Sequence, residues 1–235
     1  MKVVGITDIG LVRKRNEDNY LIDTGRNLFL VCDGMGGHFG GDIASRLATE
    51  TINKELVFNG ISDLPEALEK AVQTANRIIW ETGQNDAELN EMGTTVTAAV
   101  LCDDQLLIAH VGDSSLFIIH DDDIIKQTSD HTLAEHMRRD GLLVKDDERY
   151  KSYHHVLTRA LGVDNKVDID ISQIKVVKDD WILLCTDGLS NLVEQDEIKD
   201  LLKNKNEPQE ACQQLLELAL TRGGYDNITI ILIHL

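Results

Sequence analysis

Three apolar runs in this sequence finish on an aspartate beside a glycine: Leu-Phe-Leu-Val-Cys-Asp33-Gly34, Ile-Ala-His-Val-Gly112-Asp113 and Ile-Leu-Leu-Cys-Thr-Asp187-Gly188. A fourth aspartate, Asp226, directly precedes the apolar run at the C-terminus. A single Asp-Gly signals only a turn. Several together differ, because strand ends are rigid and aim side chains at a common point. Two carboxylates about 4 Å apart repel by about 4 kcal/mol at an effective dielectric near 20, so a site that gathers them requires cations. Oxygen donors favour hard ions such as Mg²⁺ or Mn²⁺. No cysteine or histidine spacing suits zinc; His131 and His136 stand five apart and miss the His-Glu-x-x-His pattern. Two ions bridged by one carboxylate hold a water as hydroxide and clamp a phosphoryl oxygen, which makes phosphate-ester hydrolysis the natural chemistry. Arg13, Lys14 and Arg15, just before Asn16-Glu17-Asp18, offer either a guanidinium grip on phosphate or a solvated basic turn.

Rival chemistries can be checked residue by residue. A cysteine phosphatase needs Cys-x₅-Arg, but the sixth residue after Cys32, Cys102, Cys185 and Cys212 is His38, Ile108, Asn191 and Leu218. A phospho-aspartate mechanism wants Asp-x-Asp after a strand; Asp33 is followed two on by Met35, and Asp168-Ile-Asp170 lacks glycine-rich surroundings. The loop Gly34-Met-Gly36-Gly37-His-Phe-Gly40-Gly41 matches neither Gly-x-Gly-x-x-Gly in register nor a Walker pattern, and no Gly-x-Ser-x-Gly elbow occurs. These glycines are expected to let backbone approach a metal shell.

Strands are expected at Tyr20 to Ile22, Leu28 to Cys32, Thr94 to Leu101, Leu106 to Val111, Leu116 to Ile119, Val167 to Val177, Trp181 to Cys185 and Asn227 to Ile233. Between Cys32 and Thr94 lie two helical stretches. The first has Ile43, Leu47, Thr51 and Leu56 on one face; the second has Leu68, Val72, Ala75 and Ile79 after an Asp63-x-x-Glu66 capping box. Two more helices follow at Glu194 to Leu202 and Pro208 to Leu220, the latter with Ala211, Leu215 and Ala219 facing one way and Gly223-Gly224 as its stop. Strands in succession with grouped helices predict a layered α+β sandwich of mostly antiparallel sheets. The polar stretch at about 130–155, with a weak helical start at Ser129-Asp130, reads as an excursion over the surface that could act as a lid.

At 235 residues without repeats or linkers, the chain reads as one domain. Its 23 Lys plus Arg against 41 Asp plus Glu leave a net charge of −18, which repels nucleic acid and anionic lipid. Four cysteines without a Cys-x-x-Cys pair, and no signal-like or bilayer-length apolar stretch, lead to a cytoplasmic expectation.

The ordered motifs resemble the metal-dependent Ser/Thr protein phosphatases of type 2C, the PPM family, and specifically its compact bacterial members. They are Thr7-Asp8-Ile-Gly10-Leu-Val-Arg13-Lys-Arg-Asn16-Glu17-Asp18, Val31-Cys-Asp33-Gly-Met-Gly-Gly-His38-x-x-Gly-Gly41, Gly93-Thr94-Thr95, His110-Val-Gly-Asp113-Ser114, Ser129-Asp130-His131-Thr132, Leu157-Thr158-Arg159-Ala160-Leu161-Gly162, Cys185-Thr186-Asp187-Gly188-Leu189-Ser190 and Gly223-Gly-Tyr-Asp226-Asn227-Ile228-Thr229. The resemblance implies a four-layer αββα sandwich and a phosphoserine/phosphothreonine hydrolase that works by attack of a metal-bridging hydroxide. It implies that Asp33 bridges two Mn²⁺ or Mg²⁺ ions, that Asp187 and Asp226 complete the first, and that the Gly34 carbonyl ligates the second. By the same resemblance, Asp113 and Asp187 hold a third, weaker ion. Glu17 and Asp18 act through metal-bound water, Arg13 binds phosphate, and the stretch at about 130–155 corresponds to the family's flap.

Met35 stands where many eukaryotic relatives carry a histidine proposed as general acid, leaving metal-bound water or His38 as proton source. Ser115 stands where relatives often have arginine. Phosphorylated proteins, a cognate Ser/Thr protein kinase and a monomeric state are the implied partners and assembly. The alternatives are a non-catalytic module that binds phosphopeptide or divalent ions, which would be expected to have lost one of the aspartates, and a nucleotide-binding enzyme using the Gly34 to Gly41 loop.

Overall fold

The computed structural model describes residues 1–36, 40–144, 147–203 and 207–235. Its strands are β1 (Lys2–Asp8), β2 (Asp18–Asp23), β3 (Leu28–Met35), β4 (Gly93–Thr94), β5 (Val96–Cys102), β6 (Gln105–Val111), β7 (Ser115–His120), β8 (Asp123–Lys126), β9 (Asp170–Lys175), β10 (Trp181–Cys185) and β11 (Ile228–His234). The helices are α1 (Gly40–Glu55), α2 (Leu64–Asn85), α3 (Leu133–Arg139), α4 (Glu148–Tyr153), α5 (Asp187–Ser190), α6 (Gln195–Leu202) and α7 (Pro208–Thr221). One sheet runs β1-β11-β10-β7-β8 and the other β2-β3-β5-β6-β9, with β4 attached to β3; every pairing is antiparallel.

Strand periodicity explains the layering. In β3, Phe29 and Val31 point into the space between the sheets, where they meet Ile108, Leu116, Leu184 and Ile231. Leu28, Leu30 and Cys32 point the other way, onto Ile52 of α1 and Leu68 of α2. Leu183 and Ile230 likewise turn outward to Ile198 of α6 and Leu215 of α7. Each sheet is therefore covered on both faces, which is why its central strands read as continuous apolar runs rather than alternating ones. Each fully buried Leu or Ile contributes about 1.5–3 kcal/mol of transfer free energy. The four-layer αββα expectation holds.

Several local expectations need correction. The buried face of α1 carries Ala44, Ala48 and Ile52, with Ile43 and Leu47 only half-buried at its flank. Small alanines let the helix backbone lie close to the sheet, so the larger side chains are displaced sideways. The Asp63 carboxylate accepts from the Asn59 and Gly60 amides, both at 3.0 Å, and so closes the preceding loop instead of capping α2. The strand expected over Val167 to Val177 is confined to Asp170–Lys175, an edge strand with exposed alternate residues. Strand β1 was not expected, because Gly5 interrupts its pattern; a Cβ there would come within 2.5 Å of the Tyr20 ring. Short, polar β8 was missed as well. The excursion at 130–155 forms α3 and α4, and α3 begins not at Ser129-Asp130 but after Thr132, whose hydroxyl accepts from the Glu135 amide at 3.3 Å.

Candidate metal centre

Both sheets bring the same end to one edge of the sandwich. Asp18 at the start of β2 is registered opposite Asp33 of β3. Asp113 follows the end of β6, Asp187 opens α5 just beyond β10, and Asp226 precedes β11, the neighbour of β10. Asp33 is not the last residue of its strand, as the sequence suggested: β3 continues through Gly34 to Met35, which pairs with Gly93. The glycine at position 34 serves backbone packing, since a Cβ would strike the carbonyl oxygens of Gly41 and Glu17.

A cavity of about 530 Å³ opens here, and Arg13, Glu17, Asp33, Asp113, Asp187 and Asp226 line it, together with Gly34 and Met35. Its charges shape one another. Burial, then the neighbouring Asp18, Asp187, Asp113 and Asp226 charges, push the Asp33 carboxyl well above its usual range. Burial and the Asp187 charge do the same to Asp113. Burial and Asp226 push Asp187 to about 6, although a hydrogen bond with Asp33 acts in the opposite direction. Asp18 is pushed to about 7 by burial, even with the Thr186 and Thr229 hydroxyls donating to its Oδ2 at 2.8 and 2.7 Å. Burial also raises the Glu17 carboxyl.

These residues fit hard divalent cations. The donor set is all oxygen, and Asp18 Oδ1 and Asp187 Oδ1 are buried with no hydrogen-bond partner. Among the described residues, no three such side chains already stand in a closed coordination shell, although four aspartates line one cavity. The thiols offer no competing nucleophile: burial pushes Cys32, Cys185 and Cys212 up to about 12.

Arg13 reaches the centre from an exposed turn. Its Nη2 donates to Asp226 Oδ2 at 2.7 Å, and that bond holds the guanidinium above its ordinary value. Asn227 anchors the loop that carries it, donating through Nδ2 to the carbonyls of Ile9 and Arg15, both at 2.9 Å, and accepting from the Glu17 amide at 2.8 Å. His38 lies outside the described residues. Asp168-Ile-Asp170 does not join the centre; Asp170 instead binds His131 Nε2 at 3.1 Å and Arg159 Nη1 at 2.8 Å. Ser115 is buried in β7.

The supporting groups carry no role in the sequence reading beyond their place in the motifs. Thr95 Oγ1 accepts from the Asp33 amide at 2.9 Å and shares a hydrogen bond with Ser114 Oγ at 2.8 Å, tying the Asp33 strand to the Asp113 turn. His131 Nδ1 accepts from the Gly112 amide at 3.0 Å, so the neutral ring carries its proton on Nε2, toward Asp170. The one sequence signal for these groups is that Ser114 and His131 directly follow Asp113 and Asp130; Thr95 has no aspartate nearby in the chain.

Comparison with known proteins identifies the family and the fold. The family model described as Protein phosphatase 2C matches residues 13–220. The serine/threonine phosphatase stp of Listeria innocua is 34% identical, over 97% of this chain and 93% of its own length. The solved Mycobacterium tuberculosis serine/threonine phosphatase PstP/Ppp superposes with a TM-score of 0.91 at 31% identity, covering 98% of this chain and 97% of the other. A second structure, the catalytic domain of serine threonine protein phosphatase PstP in complex with 2 manganese ions, gives 0.87 at 31% identity, with 98% and 96% covered. The likeness runs through nearly the whole of each chain rather than through one motif, and this chain belongs to the protein phosphatase 2C family.

Proposed function

We propose that the chain hydrolyses phosphoserine and phosphothreonine esters in phosphorylated proteins, at a centre held by Asp33, Asp113, Asp187, Asp226 and the Gly34 carbonyl. The observation that carries this is the gathering of four aspartates and Arg13 around one cavity, with Asp187 Oδ1 left unpartnered. When bound, Mn²⁺ or Mg²⁺ supplies an activated water and a positive clamp for phosphoryl oxygens. The chain's own residues do the rest. Asp33, at the converging ends of the two sheets, would hold the ions. Glu17 on the cavity wall and Asp18, buried and gripped by two threonine hydroxyls, would act on them through bound water. Arg13, held by Asp226 at the cavity wall, binds the phosphate of the incoming residue. Met35 occupies the general-acid position of many eukaryotic relatives and cannot donate a proton, so the leaving alkoxide takes its proton from solvent in the cavity or from His38.

The retention of every aspartate favours catalysis over a non-catalytic binding module. A third, weaker ion fits a neighbouring space of about 210 Å³ lined by Asp113, Asp130, Asp187 and Glu194. Lys126 Nζ stands 2.6 Å from Asp130 there and offsets part of the negative charge. The chain acts as one monomeric domain, in the cytoplasm, against the products of a Ser/Thr protein kinase. The net charge of −18 speaks against nucleic acid as a partner. Among the described residues, no helix is long and apolar enough to cross a membrane.

The test of this assignment is Arg13→Ala assayed on a phosphothreonine peptide with saturating Mn²⁺. Losing one charged hydrogen-bonding group to the phosphate raises KM by roughly 10-fold or more and leaves kcat within about threefold. An unchanged KM would remove Arg13 from the substrate site.

A further inference from the structure

A second cavity, of about 230 Å³, lies alongside the metal centre. It shares Met35, Leu157 and Val163 with the catalytic cavity, so the two adjoin across these side chains. Ala160 and Val167 complete an apolar wall. Gly93 packs against two of these side chains: a Cβ there would come within 2.8 Å of Met35 Cε, 2.9 Å of the Leu161 carbonyl oxygen and 3.4 Å of Val163 Cγ2. Val163 is 54% exposed, although it belongs to this wall. The rim carries both signs of charge, Lys166 against Asp164 and Asp168, while Arg159 is tied to the Asp168 carbonyl and to Asp170.

We propose that this cavity is a specificity subsite that takes one aliphatic side chain flanking the phosphorylated residue of the substrate protein; the proposal rests on the phosphatase assignment above. The space falls below the roughly 300–1,000 Å³ of a small-molecule pocket and suits a single side chain. Met35, Leu157, Ala160, Val163 and Val167 give one side of it a hydrocarbon and thioether surface, against which an apolar group gains by leaving water. A rim of mixed sign, with its arginine already engaged, gives no preference for acidic or basic flanks. Adjacency to the catalytic cavity points to the occupant, because a chain whose phosphate is at Arg13 and Asp33 and that runs past Met35 places a neighbouring residue against Val163. Met35 thereby acquires a role: it forms the partition between the two spaces, where a histidine would present a polar wall.

The experiment uses the Mn²⁺-loaded protein and a set of phosphothreonine peptides, identical except that leucine or glycine stands at each position from three before to three after the phosphothreonine. Phosphate release gives kcat/KM for each. The expected result is one position at which leucine exceeds glycine on the order of tenfold, in line with burial of one aliphatic side chain less its ordering cost. Val163→Asp is expected to reduce that ratio below threefold, and Val163→Ala to reduce it partway. Ratios within one variant cancel any general loss of activity, and the exposure of Val163 makes both substitutions compatible with the fold. Leucine-to-glycine ratios below threefold at every position, or a preference undiminished in Val163→Asp, would overturn the subsite and leave the phosphatase assignment standing. No release from any peptide would overturn the assignment itself.

Discussion

Asp187→Ala is expected to abolish metal-dependent phosphate release, lowering kcat by at least about a thousandfold, and yet to raise the melting temperature of the metal-free protein above neutral pH. Both effects share one cause. The Asp187 carboxyl is pushed to about 6 by burial and by Asp226. Its unfolded value is near 3.9, so folding binds protons between the two, and the ionised group costs stability as pH rises from about 4 through 6. Above pH 6 the full cost is present. Removing the group recovers it, less the hydrogen bond that Asn191 Nδ2 donates to Asp187 Oδ2 at 3.1 Å. A net gain of about 1–2 kcal/mol corresponds to a rise of about 2–6 °C for a domain of this size. Below pH 4 the gain vanishes. With Mn²⁺ present the order reverses, because the wild type gains binding free energy that the variant forgoes. Thermal melts with chelator and with Mn²⁺, at pH 4 and pH 8, check all four signs; a variant that melts lower with chelator at pH 8 would contradict the like-charge account.

Gly34→Ala is expected to be among the most damaging single methyls at the described glycines. Its Cβ would strike the Gly41 carbonyl oxygen and lie 2.5 Å from that of Glu17, and both are backbone atoms that cannot rotate away. The Gly34 amide also donates to the Glu17 carbonyl at 3.2 Å, so β3 cannot move outward without breaking this link. Overpacking against fixed backbone costs about 1–3 kcal/mol or more, a fall of roughly 5–10 °C. Gly60→Ala is the matched control: a Cβ there meets nothing within 4 Å, and the melting temperature should stay within about 2 °C. Equal melting temperatures for the two variants would show that the close approach of β3, α1 and the Glu17 loop is not what positions Asp33.

Some of this was legible in the sequence and some was not, for physical reasons. The central strands announced themselves because burial on both faces demands unbroken apolar runs, as in Leu28 to Cys32 and Ile228 to Ile233. The aspartates announced themselves because they interrupt those runs where the chain must turn toward one edge. Two of the four edge strands did not: β1 accommodates Gly5 for the sake of the Tyr20 ring, and β8 is only four residues long, two of them charged. The orientation of α1 was misjudged because hydrophobicity favours Ile43 and Leu47, whereas proximity to the sheet favours Ala44 and Ala48.

Within the centre, carboxylate identity was readable but the hold on each one was not. The Asp18 carboxylate is gripped by Thr186 and Thr229, which lie 168 and 211 residues away in sequence. Asn227 staples the Arg13 loop across a similar span. Neither contact has a local signature. Met35 read as the loss of a proton donor; only the fold shows that it walls a second cavity.

The central claim is that the gathered aspartates make divalent metal obligatory for phosphate-ester hydrolysis. Phosphate release from a phosphothreonine peptide, followed through a Mn²⁺ titration with a chelator control, tests it most directly. Saturable release that starts with the metal and stops with the chelator is the predicted result. Equal release with and without the ion, or metal binding with no release, would contradict it.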